Sequence, residues 1–162
     1  MFDWNDSYSV DVHTIDSQHQ TLIRLAGDLH RAILAGAVKA SLAQLLARLV
    51  QYTQEHFAHE EELMQQAGYP DLPAHKLEHE DLTRRVLAFQ MDFEEGRIGT
   101  AIGLLQFLKE WLQKHLIESD QKYAPYLKAK GLAKESCQQP IPPSPRVGKS
   151  RWASLRDIEF CQ

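Results

Sequence analysis

The chain has 162 residues, 43% of them hydrophobic and 25% charged, with a formal net charge of −4. That is enough apolar material for one full core, so a single soluble domain is the simplest organisation. No basic block is long enough to follow a phosphate backbone, which argues against a nucleic-acid partner, and no apolar run approaches the roughly 18 residues of a membrane-spanning helix.

Met1-Phe2-Asp3-Trp4-Asn5-Asp6 has neither the basic nor the apolar region of a secretory leader, so a cytoplasmic location is expected. Residues 1–15 set Phe2, Trp4, Tyr8, Val10, Val12 and Ile15 among polar residues without a helical period, the pattern of an ordered arm packed on the rest of the chain. Asp16 caps a first helix in which Leu22, Leu25, Ala26, Leu29 and Ile33 recur at steps of three and four until Ala35-Gly36. A second begins near Ala40 to Leu42 and runs to Ala67, where Gly68-Tyr69-Pro70 stops it. A third is capped by Asp71, accepts Pro73 in its first turn, and carries Leu82, Val86, Phe89 and Phe93 to Glu94-Glu95-Gly96. A fourth takes Ala101 to about Ser119 with Leu104, Leu105, Leu108, Trp111, Leu112 and Leu116 inward, and a short further helix spans Ala124 to Lys130.

Four helices joined by short turns, with no strand pattern between them, predict an all-α, up-down-up-down four-helix bundle over residues 1–131. Beyond Gly131, the run from Pro140 to Pro145 reads as an extended, flexible, Pro-rich tail over residues 132–162, with Trp152, Leu155 and Ile158 spaced for one amphipathic turn. Cys137 and Cys161, the only cysteines, fall within that tail. A disulfide framework or a cysteine-rich metal site is therefore not expected.

The chemistry lies on the inward faces. His56 and Glu60, four residues apart on one helix, share a face, as do His75 and His79. Adding His19, His115 and Asp120 brings five imidazoles and two carboxylates together from all four helices, where unpaired polar groups would each cost several kcal/mol. Imidazole with carboxylate and no thiolate suits iron or manganese better than a structural zinc. Seven ligands exceed what one ion takes and fit two ions bridged by Glu60 and Asp120, with two imidazoles on one and three on the other. His59, Glu61, Glu62 and Glu78 adjoin these residues but turn off the inner face and are expected to be solvated. His115 and Asp120, five residues apart, differ by about 140° on a regular helix. Either a wide π-type turn or a break near Ile117 to Ser119 must therefore bring them together.

The motifs Asp16-Ser17-Gln18-His19, His56-Phe57-Ala58-His59-Glu60-Glu61, Gly68-Tyr69-Pro70, His75 with His79, and His115-Leu116-Ile117-Glu118-Ser119-Asp120 resemble the hemerythrins, specifically single-domain bacterial ones. The likeness covers about residues 1–131, and the tail departs from it. It implies two non-haem irons, one bound by His19 and His56 and the other by His75, His79 and His115. Glu60, Asp120 and an oxo or hydroxo group would bridge them. It further implies that Trp111, Leu112 and Leu116 wall an apolar oxygen pocket and that Tyr123 is the aromatic residue just after the last ligand.

The function so implied is reversible dioxygen binding for storage, delivery or scavenging rather than enzymatic turnover, in a protein expected to be monomeric and to serve, in one role, an oxygen-consuming enzyme. Two alternatives stand beside it. An oxygen, redox or iron sensor needs something to transmit the signal, and only the tail is at hand. A di-iron oxidase or peroxidase of the ferritin-like type needs Glu-x-x-His twice, and no Glu here precedes a His by three.

Overall fold

The structure, a computed structural model, describes residues 2–97 and 100–132. The Pro140–Pro145 run, both cysteines and the Trp152 segment lie outside the described residues. Four rods form the expected up-down-up-down bundle: α1 (His13–Leu34), α2 (Lys39–Ala67), α3 (Leu72–Glu94), and a fourth built from α4 (Thr100–Lys114), a π turn (His115–Ser119) and α5 (Asp120–Ala129). A short 3-10 turn, Asp6–Tyr8, precedes them in the arm.

Local chemistry sets most of the boundaries. Gly68 closes α2 at φ 71°, a left-handed conformation that suits glycine. Its N–H reaches Gln65 O at 3.1 Å and Tyr69 N–H reaches Met64 O at 3.0 Å, so the last carbonyls are satisfied while buried Tyr69 packs beside Met64. Pro73 fits the first turn of α3, where its missing N–H has no partner to lose.

Two expectations are corrected. Asp16 does not cap α1, which starts at His13; instead its carboxylate accepts Val10 N–H at 2.9 Å and Ser9 Oγ–H at 2.6 Å and so ties the arm to the bundle. The short helix expected over Ala124–Lys130 starts at Asp120, straight out of the π turn, and runs through Pro125 to Ala129. The π turn is the wide-turn alternative realised: Asp120 N–H donates to His115 O five residues back.

Apolar residues gather in two main clusters along the bundle. One, including Leu22, Leu49, Phe57, Leu82 and Leu108, fills the half where α1 ends and α2 begins. The other joins Val10, Val12 and Ile15 from the arm and α1 to Leu63, Met64, Tyr69, Tyr123 and Leu127. A third, small cluster of Tyr8, Ile23 and Leu116, with Phe2 and Trp4 against it, docks the arm.

Candidate metal centre

The polar centre lies in the layer between the two main clusters. Along each rod the candidates are flanked by core residues: His19 by Ile15 and Leu22, Glu60 by Phe57 and Leu63, and Asp120 by Leu116 and Tyr123. The helical period that buries those neighbours therefore also buries the polar groups. All seven candidates are buried, and His19, Glu60, His79 and Asp120 are 0% exposed.

Donor atoms form two groups that share one carboxylate. His19, His56 and Glu60 bring ligand atoms within 4.8 Å of one another, and so do Glu60, His75, His79 and His115. Glu60 Oε2 lies 3.1 Å from His79 Nε2, 3.5 Å from His75 Nε2 and 3.9 Å from His56 Nε2, while its Oε1 lies 3.8 Å from His19 Nε2. Asp120 divides its oxygens: Oδ2 faces His19 Nε2 at 3.4 Å, and Oδ1 faces His115 Nε2 at 3.1 Å and His75 Nε2 at 3.6 Å. The π turn makes this possible by setting His115 and Asp120 on one side of their rod.

The electrostatics of the centre call for positive charge. His19 Nδ1 and Nε2, His75 Nε2, Glu60 Oε2 and both Asp120 oxygens are buried with no hydrogen-bond partner among the described residues. A set of orphans this dense is too costly to be mere packing. Burial tends to lower the His115 pKa, but the Asp120 and Glu60 carboxylates and a hydrogen bond to Glu78 outweigh it and push it up to about 10. Burial also opposes charge on Glu60, yet the His56, His19, His75 and His79 imidazoles around it hold its carboxyl well below the ordinary range. His56 moves the other way: burial, reinforced by neighbouring imidazoles, drives it well below the ordinary histidine value, so it presents a neutral lone pair. The carboxylates thus hold a proton on His115 where they lack another counter-charge, while ionised Glu60 and the neutral lone pair of His56 suit a divalent cation that would take that proton's place, and the donor set suits iron.

Supporting contacts hold the rings. Carboxylates and amide oxygens only accept, so the imidazole nitrogens touching them carry the proton and leave Nε2 facing the centre. His56 Nδ1–H donates to Gln18 Oε1 at 2.9 Å, His79 Nδ1–H to Glu61 Oε1 at 3.1 Å, and His115 Nδ1–H to Glu78 Oε2 at 2.9 Å. Phe57 stacks flat on His79 at 3.6 Å, and Trp111 stacks on His115 at 4.1 Å. Tyr123 O–H donates to Glu60 Oε1.

Three of the residues expected to be solvated make contacts around the site, and one of them, Glu61, is removed from solvent. Glu61 is buried, with Lys76 Nζ at 3.3 Å as well as His79. Glu78 also accepts Ser119 Oγ–H at 2.6 Å, and half-buried His59 takes a hydrogen bond from Gln18 Nε2 at 3.0 Å. Glu62 and Glu78 are exposed as expected, Glu78 through 45% of its side chain even while it holds His115. Of the expected oxygen-pocket wall, Leu112 and Leu116 are buried and Trp111 is half-buried, with Leu116 in the small cluster under the arm.

A family model, the hemerythrin HHE cation binding domain, matches residues 10–127, a span that contains all seven candidates. The chain belongs to the hemerythrin family. Hemerythrins generally bind oxygen at a di-iron site. This hemerythrin is 36% identical over 126 residues to the bacteriohemerythrin of Stenotrophomonas maltophilia (strain R551-3), covering 78% of this chain and 81% of that one. It is 29% identical over 120 residues to the myohemerythrin of Riftia pachyptila, covering 74% and 88% respectively. A crystal structure of wild-type hemerythrin superposes with a TM-score of 0.72 at 30% identity, covering 77% of this chain and 96% of that one. Among the described residues no helix is long and apolar enough to cross a membrane.

Proposed function

We propose that His19, His56, Glu60, His75, His79, His115 and Asp120 hold two iron ions and that this hemerythrin binds dioxygen reversibly, as a carrier rather than an enzyme. The observation that carries the reading is the pair of donor groups sharing Glu60, with the Asp120 oxygens divided between them. The iron pair, when bound, supplies the electrons and the coordination position that dioxygen needs. The chain supplies the rest. His75, His79 and His115 would hold one ion and His19 and His56 the other, with Glu60 and Asp120 shared between them. With one imidazole fewer, the His19–His56 subsite would leave its ion the open coordination position that dioxygen needs. Tyr123 fixes the Glu60 carboxylate by its hydrogen bond. Trp111, Leu112 and Leu116 keep water and protons from the pocket, the condition for reversible binding rather than oxidation of the centre.

The test is reconstitution with ferrous iron without oxygen, followed by metal analysis and visible spectra through cycles of air and argon. Two irons per chain and a charge-transfer band that comes and goes with oxygen are expected. One iron per chain, or a single irreversible change on first exposure to air, would overturn the reading.

A further inference from the structure

The two histidine groups are backed differently. His79 and His115 each donate Nδ1–H to a carboxylate, Glu61 at 3.1 Å and Glu78 at 2.9 Å. In the other group, His56 donates to the neutral amide oxygen of Gln18 at 2.9 Å, and His19 Nδ1 has no hydrogen-bond partner among the described residues. A carboxylate behind an imidazole draws its proton outward, fixes the tautomer and makes the opposite nitrogen a stronger donor; a neutral amide does only the second of these strongly.

Resting on the two-ion reading above, we propose that Glu61 and Glu78 are positioning residues that make the three-histidine subsite the tighter of the two, so that a divalent cation fills it first and the His19–His56 subsite second. The carboxylates act through His79 and His115 and touch no metal themselves. Their anchoring differs. Lys76 Nζ lies 3.3 Å from Glu61 Oε2 and neutralises part of its charge. Glu78, with 45% of its side chain exposed, instead accepts Ser119 Oγ–H at 2.6 Å, which fixes its position. The π turn matters here as well, because it carries both His115 and Ser119 and presents them to the same Glu78 oxygen.

The experiment is titration of the metal-free full-length chain with cobalt(II) under argon, following calorimetric heat and the visible d–d bands together. For the unchanged protein two resolved equivalents are expected, the first the tighter. Glu78→Gln, which keeps the shape and removes the charge, should weaken the first equivalent about tenfold or more, within the range such supporting groups command. It should also shift the bands of the first equivalent while leaving those of the second in place. Glu61→Gln should do the same, and Gln18→Leu should weaken the second equivalent alone. A loss of packing would move both steps together and leave the bands where they were. Equal weakening of both steps by Glu78→Gln and Glu61→Gln, with two equivalents still bound, overturns the proposal and leaves the two-ion reading intact. Fewer than two equivalents in the unchanged protein overturns that reading and this proposal with it. Far-ultraviolet circular dichroism establishes that each variant is folded, and either glutamate variant decides the matter if the other fails to fold.

Discussion

Tyr123→Phe isolates one hydrogen bond at the heart of the centre. The ring is completely buried and packs edge-on to Tyr69 at 6.3 Å and His75 at 5.7 Å, contacts that phenylalanine keeps. What goes is the hydroxyl that donates to Glu60 Oε1. Glu60 Oε2 has no hydrogen-bond partner among the described residues, so in the metal-free protein the substitution removes the hydroxyl donor that this buried carboxylate has there. Hydrogen bonds to charged groups contribute about 1.5–3 kcal/mol. For a bundle of this size each kcal/mol moves Tm by roughly 3–5 °C, so the metal-free variant should melt about 5–15 °C lower. With iron bound, the cations take over the Glu60 oxygens and the loss should shrink to a few degrees. Burial, and then the negative charges of Glu60 and Asp120, push the Tyr123 pKa well above the ordinary tyrosine value. The hydroxyl thus stays a donor throughout the neutral range, and the difference should not vary with pH there. Thermal melts of both proteins, with and without iron, measure all of this. An unchanged melting temperature for the metal-free variant, against a clear loss for Tyr123→Leu, would show that the side chain acts by packing alone.

Glu60→Ala or Asp120→Ala should lower bound iron from two per chain toward one or none, because each carboxylate serves both donor groups; metal analysis after anaerobic reconstitution decides it. Amides from Ile117 to Tyr123 should exchange slowly with iron bound and much faster without it, while the middles of α2 and α3 change less, since attachment of Asp120 offsets the cost of the π turn. Equal protection in the two states would mean that packing alone fixes the turn. Gly68→Ala places a side chain at φ 71° and should cost about 1–2 kcal/mol in urea unfolding, with no change in iron content.

The fold and the seven inward residues were legible because both depend on local helical phase. Apolar steps of three and four locate the inner face, and His19, the His56–Glu60 and His75–His79 pairs and His115 continue it. The five-residue spacing to Asp120 announced an irregularity, but whether it would be a π turn or a break depended on the rest of the rod. Asp16 was misread because a carboxylate at a helix start has the same signature whether it caps its own helix or catches the returning arm, and here Val10 N–H and Ser9 Oγ–H win.

The supporting shell was missed for a geometric reason. A residue about 100° off the inner face looks solvent-directed on one helix, but in an antiparallel bundle that direction holds the neighbouring helix. Each missed group sits beside a ligand candidate on its own helix and serves one on the next. Gln18, beside His19 on α1, holds His56 on α2; Glu61, beside Glu60 on α2, holds His79 on α3; Glu78, beside His79 on α3, holds His115 on the fourth rod. The relay advances one helix at a time and is open at α1, where His19 Nδ1 is left without a partner among the described residues. An open relay must leave one end weaker than the other. On the two-ion reading the weakly backed end is the subsite of His19 and His56, so the unequal backing of the two subsites follows from the order in which the helices pass support round the centre.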